Sequence, residues 1–375
     1  MARTPLAQFV GEAAAAAGIT RREALRRAGV AGAGLTMAGT LGALTAPARG
    51  ATAPRIVVVG AGLAGLNAAY SLKQAGYTAQ VYEAHPSRVG GRCWSIRSFS
   101  GGQIAEHGGE LIDQGHTAVR QLAQSLGLNL DNLLAAEVNG TEASYYFDGQ
   151  PYSFAQATDD LKAIWQQIHS DVSAASYPTL YNSSTQRGRE LDAMSITDWI
   201  NAYVPGGMAS KLGQLLDVAY NIEYGAECNV QSSLNMLYLL GYSGQGQLRI
   251  FGPSNEKYHV RGGNDQIPNL LAQRLGGQIN MGSELVAIKQ GSGGTWTLSF
   301  DQGTTTTDVT ADHVVLALPF SILRSSVDLR RAGFPSRKLT AINELGMGTN
   351  SKLHLQFKNR IWSGLGSNGE TYADT

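Results

Sequence analysis

Hydrophobic and polar positions recur with two different periods along the chain, and the changes of period mark out its elements. Ile56–Val59 is an unbroken β-branched run, which predicts a strand buried on both faces. Leu63, Leu66, Ala69, Tyr70 and Leu72 then recur at roughly helical spacing, up to a stop at Gly76. Thr78–Tyr82 predicts a second strand, ending on Glu83. Farther on, His116–Leu126, Asp159–His169, Ile196–Tyr203 and Ala209–Tyr220 predict helices, and Asn229–Gly241 predicts an apolar one. Gln266–Leu275 reads as another helix. Glu284–Ile288 reads as a strand that continues into a hairpin pattern over Thr295–Phe300 and Thr305–Val309. His313–Leu318 predicts a buried strand ended by Pro319. Lys352–Phe357 alternates, which predicts a strand with Lys352, His354 and Gln356 on one face.

The turn after the first strand carries Gly60, Gly62 and Gly65 at GxGxxG spacing. In a dinucleotide site each has a task. Gly60 allows the tight turn, Gly62 lets a pyrophosphate approach the backbone, and Gly65 lets helix and strand pack closely. The free N–H groups at the helix start face the phosphate. Glu83, about 20 residues on, is placed to accept hydrogen bonds from a ribose 2′-OH. The spacing alone is weak evidence. Here strand, helix, second strand and terminal acid agree, and the stretch reads as a true dinucleotide site rather than an ordinary glycine-rich turn.

Composition adds bounds. A chain of 375 residues suffices for two domains of ordinary size. Zero formal net charge gives no argument for nucleic acid or a membrane surface. Cys93 and Cys228 neither require nor exclude a disulfide, and no His or Cys stands at ligand spacing, so no metal is expected. The first 48 residues read as an address: Arg21-Arg22, a weakly apolar Ala/Gly-rich run over Ala28–Ala46, then Ala46-Pro47-Ala48. That is the layout of a twin-arginine export signal, with the export machinery as partner and a periplasmic or extracellular destination. An amphipathic helix and a membrane anchor are the competing readings; the run is too rich in Gly and Ala for a good spanning helix.

Two further glycine pairs follow. Arg88-Val89-Gly90-Gly91-Arg92 offers a turn close to a ligand and, in Arg92, a planar charged fork suited to a diphosphate. Ala105-Glu106-His107-Gly108-Gly109-Glu110-Leu111-Ile112 again reads as backbone close to a flat ligand, with His107 packing or capping. Together VVVGAGLAGLNAAYSL, YEAHPSRVGGR and EHGGELID resemble the flavin amine oxidase family, which includes monoamine, polyamine and L-amino acid oxidases. The resemblance continues to the end of the chain.

The resemblance implies an α/β fold with a discontinuous Rossmann-like FAD-binding domain, 54–115 and 256–322. An α+β substrate domain is inserted, 116–255 and 323–375. It implies FAD as cofactor, contacted by Gly60, Gly62, Ala64, Gly65, Glu83, Ala84, Gly91, Arg92, Gly108, Gly109 and Glu110, with Val286 binding the adenine edge through its backbone. It places Glu223 and Tyr224 at the substrate cavity; a salt-bridged structural acid is the equal alternative for Glu223. Lys352 is either a solvated strand lysine or the family's lysine, which holds a water at the flavin. The implied reaction is oxidation of a primary amine or amino acid by oxygen, releasing ammonia and hydrogen peroxide. L-Amino acid oxidases of the family commonly carry an Arg shortly after the second glycine pair. Glu110-Leu111-Ile112-Asp113 stands there instead, which tilts the reading toward amines. Family members continue well past Thr375, so the expectation is a C-terminally truncated chain. The alternatives are a related flavin desaturase or protoporphyrinogen oxidase, and a flavoprotein-like module without turnover. Oligomeric state is not legible.

Overall fold

The computed structural model describes residues 53–374, and the export signal read in the first 48 residues lies outside them. The described residues form two compact units. The first runs up to Gly91 and resumes over Pro268–Pro335; the second comprises Arg92–Ile267 and the chain from Ser336 onward.

The first unit is built on a parallel sheet. Ile56–Val59 pairs with His313–Leu316 on one side and with Ala79–Tyr82 on the other, and Ile279–Asn280 extends that second side. All four residues of Ile56–Val59 are buried, as an inner strand of a covered parallel sheet requires. The helix Leu63–Gln74 returns the chain over this sheet, with Gly65, Leu66 and Ala69 turned inward. A second sheet orders Thr306–Ala311, Trp296–Asp301, Glu284–Gln290 and Asp328–Arg331, antiparallel except at the last pairing. Within this unit the Tyr82 and Phe300 rings stack at 4.1 Å.

The second unit is mainly helical. Its longest helix, Phe154–Ala175, starts at a capping box in which Ser153 and Gln156 satisfy each other's backbone N–H groups. It outruns the expected 159–169, because a box at its start and buried Leu161, Ile164 and Ile168 favour the full length. Lys211–Tyr224 and Ser233–Leu240 pack Leu215, Leu216, Tyr220, Met236 and Leu237 into the same core. Asp171, 3 % exposed, binds Arg187 and the Trp199 indole N–H there. A three-stranded sheet, Ser367–Ala373, Glu142–Phe147 and Gln150–Tyr152, a hairpin, Trp94–Ile96 with Ala105–Gly108, and an antiparallel pair, Leu130–Asn132 with Tyr258–Val260, also belong to this unit. Among the described residues no helix is long and apolar enough to cross a membrane.

Lys352–Phe357 departs from expectation. No described strand hydrogen-bonds to it, so it belongs to no sheet. Burial does not alternate along it: His354 is half-buried, whereas Lys352, Leu353, Leu355, Gln356 and Phe357 are all exposed, and Gln356 binds Ser100 and Gln103.

Candidate active site

In the first unit, the GxGxxG turn lies where strand order reverses between Ile56–Val59 and its two neighbours, the place where open α/β sheets bind ligands. The three glycines serve different ends. Gly60 has φ +98°, and a Cβ there would lie 3.0 Å from the Ala317 carbonyl oxygen. A Cβ on Gly65 would lie 1.9 Å from the Gly60 carbonyl oxygen, so only glycine lets the helix approach the strand. A Cβ on Gly62 would meet no protein atom within 4 Å. Its missing side chain leaves open space, directly at the start of a helix that no side chain caps and that has no acid in its first turn. Exposed Ala64 lies in that first turn.

Glu83 closes the same turn. Its carboxylate accepts hydrogen bonds from the N–H groups of Ala61 (2.7 Å) and His85 (2.9 Å). A carboxylate offers about four acceptor sites, so Glu83 retains capacity for hydroxyls. Ala84 beside it is exposed. Gly90 donates to the Ala61 carbonyl at 2.8 Å, and Gly91, at φ +57°, faces Gly62. The second glycine pair of the unit is thus folded onto the first turn. Val286 sits at a bulge: Leu285 and Ala287 pair with consecutive residues, Phe300 and Ser299, and Val286 is the extra residue. Its backbone stands outside that ladder, where a ligand can use it.

In the second unit, Arg92 is exposed and makes no ion pair or hydrogen bond through its side chain among the described residues. The Gly108–Gly109 pair has a reason that spacing did not reveal. A Cβ on Gly108 would lie 2.7 Å from the Arg92 carbonyl oxygen, and one on Gly109 3.3 Å from Cys93. The hairpin's own close contact accounts for both. Cys93 is buried there, and burial, with the charges of Glu106 and Asp265, pushes its thiol up to about 12. His107 packs, stacking on Trp94 at 3.8 Å.

Lys352 donates to the Glu110 carboxylate and, at 3.4 Å, to the Glu106 carbonyl. Two residues that sequence reasoning did not single out hold this pair. Asn264, 2 % exposed, donates its side-chain amide to the carbonyls of Gly109 (2.6 Å) and Glu110 (2.5 Å), and accepts from the Val260 N–H (2.7 Å). Its own N–H donates to Glu106 (2.8 Å), whose carboxylate, 1 % exposed, also accepts from His259 (2.8 Å) and Ser95 (2.7 Å). Nothing in the spacing of EHGGE marks this acid as buried, because His259 and Asn264 reach it from distant parts of the chain. Burial pulls the Glu106 carboxyl upward, but the hydrogen bonds from His259, Asn264 and Ser95 outweigh it and hold it below its ordinary 4.5. The stabilisation is complete above that value and is lost as pH falls through the lowered one. Glu106→Gln would set an amide N–H₂ against one of these donors. Thermal denaturation should show a loss on the order of 5 °C at pH 7. The gap to the native chain should close as pH falls below 4.5 and through the lowered value; a gap independent of pH would contradict this account.

Glu223 and Tyr224 end the helix Lys211–Tyr224. Burial and the charge of Asp113 raise the Glu223 carboxyl. Tyr224 donates its hydroxyl to the Asn235 carbonyl at 3.2 Å, a packing role. The loop before Lys352 docks on this helix end. Asn350 donates to the Ile222 carbonyl at 2.5 Å and Thr349 N–H to the Gly225 carbonyl at 2.9 Å. A Cβ on Gly348 would lie 2.4 Å from the Tyr224 carbonyl oxygen.

The family model for flavin-containing amine oxidoreductases matches residues 63–374, and the chain belongs to that family. Among similar proteins, an L-amino-acid oxidase of Pseudechis australis is 24 % identical over 323 residues, 84 % of this chain. A Mycobacterium tuberculosis protein bearing the name flavin-containing monoamine oxidase AofH is 26 % identical over 325 residues, 85 % of this chain. The chain spans 60 % of the first relative's length and 68 % of the second's. Its fold is shared with putrescine oxidase (TM-score 0.67, 20 % identity, 86 % of this chain and 70 % of that one) and with cyclohexylamine oxidase from Brevibacterium oxydans (0.60, 18 %, 78 % and 63 %). The cofactor is FAD. The first unit fits it: Gly62 leaves space at an uncapped helix start, and Glu83 keeps free acceptor sites.

Proposed function

We propose that the protein oxidises primary amines, converting R–CH₂–NH₂, oxygen and water to an aldehyde, ammonia and hydrogen peroxide. When bound, FAD supplies the two-electron oxidation at the α-carbon. Gly60, Gly62, Ala64, Gly65, Glu83, Ala84, Gly91 and Val286 would hold the dinucleotide, with Arg92 on the diphosphate and Gly108–Glu110 along the flavin. Lys352 is the proposed catalytic group. An ammonium has three N–H donors, and two face Glu110 and the Glu106 carbonyl. The third is free to hold a water in place. Glu223 would orient the substrate amine.

The observation that carries the substrate class is Glu110. Its carboxylate neutralises Lys352, which would otherwise be free to attract a substrate carboxylate. With Asp113 and Glu223 also in the second unit, an amine meets acids rather than a gripping arginine. The test is the visible absorption spectrum of the purified 375-residue chain, taken before and after anaerobic addition of tyramine and, separately, of tyrosine. Flavin peaks that tyramine bleaches support the reading. Peaks that tyrosine bleaches and tyramine does not would make the protein an L-amino acid oxidase.

A further inference from the structure

Met347 differs from the other methionines among the described residues. It is 39 % exposed, whereas Met236 is fully buried, Met194 and Met208 pack partly buried against the helical core, and Met281 is half-buried. A thioether reacts with peroxide without first losing a proton, so access decides which methionine is oxidised. Cysteine sulfur reacts as the thiolate. Cys93 and Cys228 are both buried, and burial raises both thiols, so neither offers that form.

The position of Met347 gives its exposed sulfur a consequence. It lies in the irregular segment between the helix Ser336–Glu344 and Lys352. The residues directly after it are pinned to the end of the helix Lys211–Tyr224. Gly348 meets the Tyr224 carbonyl too closely to admit a Cβ, and Thr349 N–H donates to the Gly225 carbonyl at 2.9 Å. Asn350 donates to the Ile222 carbonyl. Lys352 follows at once, so this anchorage sets where its ammonium meets Glu110. Oxidation would turn a partly covered apolar side chain at the head of that anchorage into a polar one.

Taking the hydrogen peroxide of the reaction proposed above as oxidant, we propose that Met347 is a site of self-oxidation whose sulfoxide loosens this loop and slows amine oxidation. The sulfur attacks one peroxide oxygen, the O–O bond breaks, an S–O bond forms and water leaves: R–S–CH₃ + H₂O₂ → R–S(O)–CH₃ + H₂O. The sulfur loses two electrons and the peroxide gains them. Methionine sulfoxide reductases, one for each epimer, would restore the thioether.

The test gives the purified 375-residue chain reagent hydrogen peroxide alone and, in parallel, tyramine in air with and without catalase. Peptide mass mapping should show one added oxygen at Met347 before Met194, Met208, Met236 or Met281 in both arms, and none with catalase. Amide exchange over Gly348–Lys352 should rise in the oxidised chain. Anaerobic bleaching by tyramine should slow about tenfold at unchanged flavin content, because Lys352 is displaced. Both reductases together should reverse these changes. Met347→Leu conserves volume, so it should bleach like the native chain and keep its rate and exchange through the same treatment. The proposal is overturned if another of these methionines is oxidised first, if exchange does not change when Met347 is oxidised, or if Met347→Leu slows as much as the native chain. Reagent peroxide separates this from failure of the amine reading. A chain that tyramine neither bleaches nor oxidises, but whose Met347 the reagent oxidises with the loop freed, refutes the amine reaction and not the methionine site.

Discussion

Gly62→Ala should fold like the native chain and lose flavin, whereas Gly65→Ala should lose both flavin and stability. The contrast follows from what each new methyl group would meet. At Gly62 the backbone is extended, φ −72° and ψ 177°, which alanine adopts freely, and no protein atom lies within 4 Å of the added Cβ. A compatible Gly→Ala change often stabilises by about 0.4–1 kcal/mol, through the unfolded chain. Melting temperature should therefore hold or rise. The methyl instead fills the space that the pyrophosphate would take at the helix start, and flavin affinity should fall on the order of a hundredfold. At Gly65 the methyl would sit 1.9 Å from the Gly60 carbonyl oxygen, so the helix must move off the strand. Overpacking of this kind costs about 1–3 kcal/mol, and the displaced helix start takes its N–H groups with it. Flavin absorbance per chain, read with thermal denaturation, checks both. Full flavin content in a well-folded Gly62→Ala chain would place the dinucleotide elsewhere.

Those two glycines also show what the sequence could and could not disclose. GxGxxG between a β-branched run and a helical period is a local pattern, and strand, turn, helix and Glu83 follow from it in order. The same reasoning assigned Gly108–Gly109 to a flat ligand; the fold makes a second demand on them, because Arg92 and Cys93, which lead into the adjoining strand, already stand where a Cβ would. Only the hairpin register reveals that contact. Val286 was reached by resemblance; its bulge depends on pairing with Phe300 and Ser299, a non-local register that no spacing encodes. Asn350 was invisible for the same reason. It caps a helix that ends more than a hundred positions earlier in the chain. Asn264 and Glu106, the polar pair beneath the Gly109–Glu110 turn, come together only when the chain near Val260 returns to the hairpin. Lys352–Phe357 alternates as a strand does, but alternation specifies faces, not the neighbour a sheet requires.

Lys352→Met should slow amine-dependent flavin bleaching by about a hundredfold or more, while flavin content stays near that of the native chain. Methionine keeps the length and apolar stem of lysine and removes the ammonium. The N–H that neither Glu110 nor the Glu106 carbonyl takes is then gone, and with it the group proposed to hold water. Removing one preorganised donor of this kind costs on the order of 10²–10³ in rate. Fold and cofactor should be spared. Lys352 belongs to no sheet, its side chain is over a third exposed, and its side-chain hydrogen bonds among the described residues run to Glu110 and the Glu106 carbonyl. Glu110→Gln gives the graded control. It leaves the ammonium in place but removes its counter-charge, so the bleaching rate should fall less than in Lys352→Met. It should also let tyrosine compete better against tyramine, because an uncompensated Lys352 attracts a carboxylate. The readout is stopped-flow absorbance under anaerobic conditions, with each substrate in turn. A Lys352→Met chain that bleaches within threefold of the native rate would return Lys352 to the role of a solvated lysine on an exposed segment. The catalytic reading would then have to be sought around Glu223.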